Sequence, residues 1–330
     1  MKGLTTAAIA LGIAFTGHSA AAKCDDGEIV ARFAHVTSGS HPKGVAASQL
    51  QERVNAQMDG RMCVEVYPNS ILYNDSQVLD AIAEGKAELA APGFSKFGEY
   101  TSAFEVFSLP FLFQDIDAVI AFQRSASGRK LLDSMQGQGL QGLSYWQNGM
   151  MHMAANIPLI RPDDAAGLKF RVPPSDVQIV QMEKLGAQAV AMPFSKVYGA
   201  LESGDVDGVA HTWANMWGKK FFEVQDGITE TSHGVSAYLV VTSTEWINSL
   251  DADIRTEFLS ILADVTEQQN EDSKRLNREA KDKILAAGGT VRALTPEQRS
   301  AWVEAMKPVW AEFSDIIGQS TIEEAAGYNY

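Results

Sequence analysis

The chain has 330 residues, 45% of them hydrophobic and 21% charged, a composition that suits a folded globular protein and excludes a disordered one. That length exceeds the usual reach of one hydrophobic core, so two domains are expected. A formal net charge of −14 excludes a nucleic-acid partner, which would need clustered basic surface, and disfavours tight adsorption to anionic lipid.

In chain order, Met1 and Lys2 give a short positive start, residues 7–15 an apolar stretch, and Ser19, Ala20, Ala21 and Ala22 a run of small residues. That order predicts a secretory signal peptide ending near residue 22, with an apolar stretch too short to span a bilayer. No later segment is apolar enough for a membrane helix, so the mature chain is expected in the periplasm without direct membrane insertion. Export permits a disulfide between Cys24, just ahead of a strand-like run at 28–35, and Cys63, which opens the next run at 62–67. Both strands of a β-α-β unit start at the same sheet edge, which could bring the thiols into range. Two unpaired thiols are the alternative; lipidation of Cys24 is disfavoured because Lys23 stands where a lipoprotein signal wants a small residue.

Ser40-His41-Pro42 reads as a helix start with proline at the first helical position, followed by Val45, Leu50, Val54 and Met58 on one side. A helix at 76–84 leads to a strand at 87–91, and a further strand is read at 143–146. The same grammar returns after residue 148. Strands are expected at 168–172, 187–192 and 206–210, with helices capped by Ser175 and Ser195 between them. An apolar run at 236–242 could return to the first lobe. Residues 251–286 form a long stretch without proline or glycine, enough for a helix of about 50 Å. Its second half, 267–283, reads as a solvated face with i,i+4 charge pairs. Thr295 caps a last helix. Two blocks of alternating strands and helices predict an α/β protein of two similar lobes: 23–148 plus 237–270, and 149–236 plus 271–330.

Catalytic signatures are missing from the sequence: it has no phosphate-loop, zinc-protease or Cys-x-x-Cys pattern. Residues 137–142 match Gly-x-Gly-x-x-Gly, but a helix precedes them and a strand follows, the reverse of a dinucleotide loop. The histidines show no metal-ligand spacing. Nothing in these patterns calls for a cofactor, a metal or an enzymatic activity.

Three ordered blocks carry a resemblance: Gly-Leu-Lys-Phe-Arg-Val-Pro at 167–173, the run 185–198 around Met-Pro-Phe-Ser-Lys-Val-Tyr, and Ala-Leu-Glu-Ser-Gly-Asp-Val-Asp-Gly at 200–208. Phe-Ala-His-Val at 33–36, Tyr-Pro-Asn-Ser at 67–70 and Ser-Leu-Pro-Phe-Leu at 108–112 agree with it. Together they resemble the DctP-like solute-binding proteins of TRAP transporters. The resemblance implies a two-lobed periplasmic-binding-protein-like fold, joined by a hinge and a long spanning helix. It also implies capture of a small organic acid and delivery to the membrane subunits of an ion-gradient-driven permease.

It marks Arg171 as the carboxylate anchor, at a strand's carboxyl end where α/β sheets place ligands. Phe194 matches a cavity-lining position, and His211 stands where many members carry asparagine. Expected companions are Tyr73, Phe94 and Lys96 from the first lobe, with Met151, Trp146, Trp213 and His35 near predicted cleft segments. Asn148-Gly149 is followed by Met150-Met151, without the second arginine of sialic-acid-type relatives. One cationic anchor amid aromatics suggests a monocarboxylate that is apolar, aromatic or zwitterionic. Contacts to both lobes would favour the closed state. A sensory binding protein and a secreted enzyme acting on a small acid are the alternatives.

Overall fold

β1 (Ile29–Ala34) is apolar but for Arg32, and the structure buries Ala31 and Phe33 completely. The computed structural model describes residues 24–329; the predicted signal peptide lies outside them. β1 pairs in parallel with β2 (Met62–Tyr67) and β3 (Leu89–Ala90), across the helix Pro42–Gln57. That helix starts as its sequence predicts, with Pro42 in the first turn and His41 Nδ1 accepting from the Lys43 amide at 3.2 Å. In the second lobe β5 (Lys169–Val172) lies between β6 (Gln188–Ala191) and β7 (Gly208–His211), again in parallel. A short strand, β9 (Val291–Ala293), pairs with the edge of the central strands.

Two long antiparallel strands join these halves into one sheet of order β2-β1-β3-β8-β4-β7-β5-β6. They are β4 (Leu140–Ala155) and β8 (Gly227–Ser243), of 16 and 17 residues. The sequence shows only their apolar ends, at 143–146 and 236–242. Their middles are polar yet buried: Gln147 and Asn148 are fully enclosed, as are Thr231 and His233. Register shifts between Gln147 and Gly149 and between Met151 and Met153 break the β4–β8 ladder where it crosses from lobe to lobe. The Gly-x-Gly-x-x-Gly segment opens β4, with Gly139 in the left-handed region (φ 84°), and no helix N-terminus follows it.

The spanning helix Ala252–Ala286 is 35 residues long. Its ends are apolar where they meet the two cores: Phe258, Ile261, Leu262 and Val265 join the first-lobe cluster, and Ala280 and Ile284 the second. Its middle is polar where it crosses the bulged strand. Gln269 accepts from the Gln147 amide (2.7 Å) and donates to the Gln147 carbonyl (2.5 Å), so one side chain satisfies both backbone groups. Charged pairs such as Arg275–Glu279 (2.7 Å) cover its outer face, as expected. The capping box at Thr295 forms as predicted, whereas the helix Val197–Ser203 begins after a 3₁₀ turn with no side-chain cap from Ser195. Beyond Met306 the chain reaches back: Val309, Phe313, Ile317, Ile322 and Ala325 bury in the cluster around Phe94, Phe104 and Phe107. Among the described residues, no helix is long and apolar enough to cross a membrane.

Cys24 and Cys63 form a disulfide with Cα atoms 5.5 Å apart across 39 residues. Replacing both by serine is expected to cost about 4 kcal/mol through the loop entropy released on unfolding. Calorimetry would read this as a lower melting temperature. An unchanged transition would show that the bond contributes nothing.

Burial also keeps the described histidines neutral. Desolvation is the largest cause at each: His35, His41 and His152 are lowered to about 3, His233 to about 4, and His211 well below 6.5. The unfolded chain takes up these protons near pH 6.5, and the folded chain does not take them up until near pH 3–4. Stability therefore falls as pH drops through 6.5. Thermal melts from pH 7.5 to 5 should show a progressive loss; a flat profile would contradict neutral burial.

Candidate functional site

Between the lobes lies a cavity of ≈ 230 Å³. Pockets for drug-sized molecules usually run to about 300–1,000 Å³, so this one suits a small metabolite. Its second-lobe wall grows from the carboxyl ends of β5, β6 and β7, as the parallel strand order requires.

Arg171, the third residue of β5, is 5% exposed. Its Nε and Nη2 donate to the Met192 carbonyl at 3.2 and 2.9 Å, which holds the guanidinium by one edge. That uses two of the five N–H bonds of the fork. No carboxylate among the described residues forms an ion pair with it, and burial lowers its pKa to about 10, with Asp75 opposing the shift. The side chain is thus a desolvated cation with donors left open beside a cavity.

Phe194 follows β6 and lies under this charge, its ring 5.9 Å from Arg171 Cζ and 5.3 Å from Lys219 Nζ. His211 ends β7, with its ring centroid 5.1 Å from that of Phe194. Its Nδ1 accepts from the Thr212 amide (3.1 Å), so the neutral ring carries its proton on Nε2. Met151 and Phe94 line the cavity, and so does Lys96, whose pKa is lowered first by burial and then by Arg171.

Four expected residues stand elsewhere. Trp146 is fully buried, stacked on Phe33 at 5.5 Å, and donates from Nε1 to Thr266 on the spanning helix. Trp213 packs on His152 at 4.6 Å in a second-lobe cluster. Tyr73 lies against the first-lobe core. His35 is 2% exposed, with Nδ1 against Thr37 Oγ1 at 3.2 Å; its neighbours Val36 and Thr37 reach the cavity. The two tryptophans are core residues because the strand and helix that carry them face the cores at those positions.

Several lining residues carried no signal in the sequence. Lys219 follows a six-residue helix, Trp213–Gly218, too short to read by periodicity. Asp75 and Asn74 come from the loop after β2, and Tyr238 from β8, where Lys43 Nζ sits 3.9 Å from its ring centroid. Asn215 lines the cavity and also ties the lobes together. Its Oδ1 accepts from His41 Nε2 (2.9 Å), Asn148 Nδ2 (2.9 Å) and Thr212 Oγ1 (3.0 Å). These groups come from the first-lobe helix, the bulged strand and the second lobe. His41 and Asn148 are distant from Asn215 in sequence, so no local pattern reveals those two bonds.

Three cations, Arg171, Lys96 and Lys219, therefore line the cavity from both lobes. This corrects the expectation of a single cationic anchor among aromatic walls. The inferred apolar or aromatic monocarboxylate is not supported, since two of the rings behind it belong to the core.

Comparison with known proteins agrees with the fold. Residues 33–315 match the family described as "Bacterial extracellular solute-binding protein, family 7" (DctP). The chain is 50% identical over 329 residues, 99% of each chain, to the C4-dicarboxylate-binding periplasmic protein DctP of Vibrio cholerae. It is 39% identical to the protein of that name from Rhodobacter capsulatus, over 89% of each chain. Among solved structures, a TRAP periplasmic solute-binding protein from Shewanella oneidensis with bound succinate superposes with a TM-score of 0.90 at 41% identity, covering 92% of this chain and 100% of that one. One from Pseudomonas aeruginosa with bound L-malate gives 0.85 at 40% identity, covering 86% and 99%. The family match and these identities over nearly the whole chain establish that this protein belongs to the DctP-like solute-binding proteins of TRAP transporters, and is a binding protein rather than an enzyme.

Proposed function

We propose that this protein captures a C4-dicarboxylate outside the inner membrane and hands it to the membrane subunits of a TRAP permease. The observation that carries the reading is the half-paired guanidinium of Arg171, facing a cavity whose other walls hold Lys96 and Lys219. One ligand carboxylate meets the open edge of Arg171, where a planar fork suits two parallel hydrogen bonds. His211 Nε2–H supplies a neutral donor beside it. The second carboxylate is met by Lys96 from the first lobe. A ligand with an acid at each end thus touches both lobes at once, and only the closed arrangement makes both sets of contacts. The names of the relatives with 50% and 39% identity support the same substrate class. The predicted signal peptide and the periplasmic relatives support the compartment.

Calorimetric titration with succinate and L-malate tests the assignment. Arg171→Lys is expected to weaken both by about 100-fold, because an ammonium cannot reproduce the fork. Lys96→Met should weaken succinate far more than butyrate, which lacks the second acid. Equal affinity of the wild-type protein for butyrate and succinate, or an Arg171→Lys protein that binds normally, would refute the dicarboxylate reading.

A further inference from the structure

Asp75 is the one carboxylate among the described residues that line the cavity. It stands in the loop between β2 and the helix Val78–Ala83, and the local turn does not use it. Ser76 N donates to Asn74 Oδ1 (2.8 Å) and Asn74 N to Gln77 Oε1 (3.3 Å), so its neighbours close that turn. The Asp75 side chain makes no hydrogen bond or ion pair with the described residues. Its field nevertheless reaches Arg171 from across the cavity, and Lys96 and Lys43 from its own lobe.

A bare carboxylate is unfavourable in a site that receives a dianion, because like charges repel across a poorly solvated gap. The sign reverses where the ligand brings a donor. A carboxylate only accepts hydrogen bonds, and bonds to a charged acceptor are stronger than neutral ones. In the dicarboxylate reading, Arg171 and Lys96 serve the two acid groups, which leaves Asp75 for a substituent on the carbons between them. We infer that Asp75 is a specificity residue that selects C4-dicarboxylates bearing a hydroxyl on carbon 2 over the unsubstituted acid. The inference rests on the dicarboxylate reading and adds to it the class of substituent.

Titrations of L-malate and succinate against the wild-type protein, Asp75→Ala and Asp75→Asn test it, with ligand-free melting temperatures confirming that each variant folds. The wild-type protein should prefer L-malate by about 10-fold or more, the worth of one charge-assisted hydrogen bond. In Asp75→Ala, succinate should tighten and the preference should fall to about 1-fold, since charge and acceptor are both gone. Asp75→Asn, which keeps an acceptor without the charge, should fall between the two. A malate-to-succinate ratio that is the same in all three proteins, or a wild-type protein that favours succinate, overturns the inference and leaves the dicarboxylate reading intact. Failure of the wild-type protein to bind either acid overturns both.

Discussion

A guanidinium that is almost wholly buried, and among the described residues is hydrogen-bonded only to a backbone carbonyl, sets the terms for the rest of this protein. Arg171 has lost most of its water, and Met192 returns two hydrogen bonds along one edge. Desolvated charge is costly, and a single neutral acceptor offsets only part of that cost. An anion entering the cavity would meet that deficit. Neighbouring groups agree with this arrangement. Phe194 presents a ring face to the cation, and the neutral His211 adds a donor without adding repulsion.

The same logic of polar groups satisfied in unusual ways governs the hinge. Two strands must cross from one lobe to the other, and their ladder is broken by register shifts at the crossing. Breaks in a ladder expose backbone donors and acceptors that need partners. The spanning helix provides them from its polar middle. Gln269 binds both backbone groups of Gln147, and Asn277 donates to the Asn148 carbonyl while accepting from the Ala214 amide. A helix apolar at both ends and polar between them is anchored in each core, yet meets the crossing point through hydrogen bonds. Asn215 extends the same seam to the cavity, so ligand wall and hinge share one hydrogen-bonded network.

The cavity is lined from both lobes. The second lobe supplies the main cation from the carboxyl end of a parallel strand, a position dictated by sheet architecture. The first lobe supplies Lys96 and Asp75 from a 3₁₀ turn and a loop. Charge of both signs therefore lines this side of the cavity.

The sequence by itself allowed the disulfide without deciding it, and it determined the lobes' parallel strands, the helix starts at Pro42 and Thr295, the long helix and the family. Each of these is written in local periodicity, in capping residues or in an ordered set of motifs. Arg171, Phe194 and His211 were legible for the same reason, because each sits in a short motif at a strand end. Only the tertiary structure decided the full length of β4 and β8, since their middles are polar and their burial depends on Gln269 and Asn215, far away in the chain. It also decided which aromatics line the cavity. Trp146 and Trp213 lie next to cleft segments in sequence, but strand and helix geometry turns them into the cores. Asp75, Lys219 and Tyr238 converge on the cavity from three unrelated segments, and convergence of that kind leaves no mark on a linear pattern.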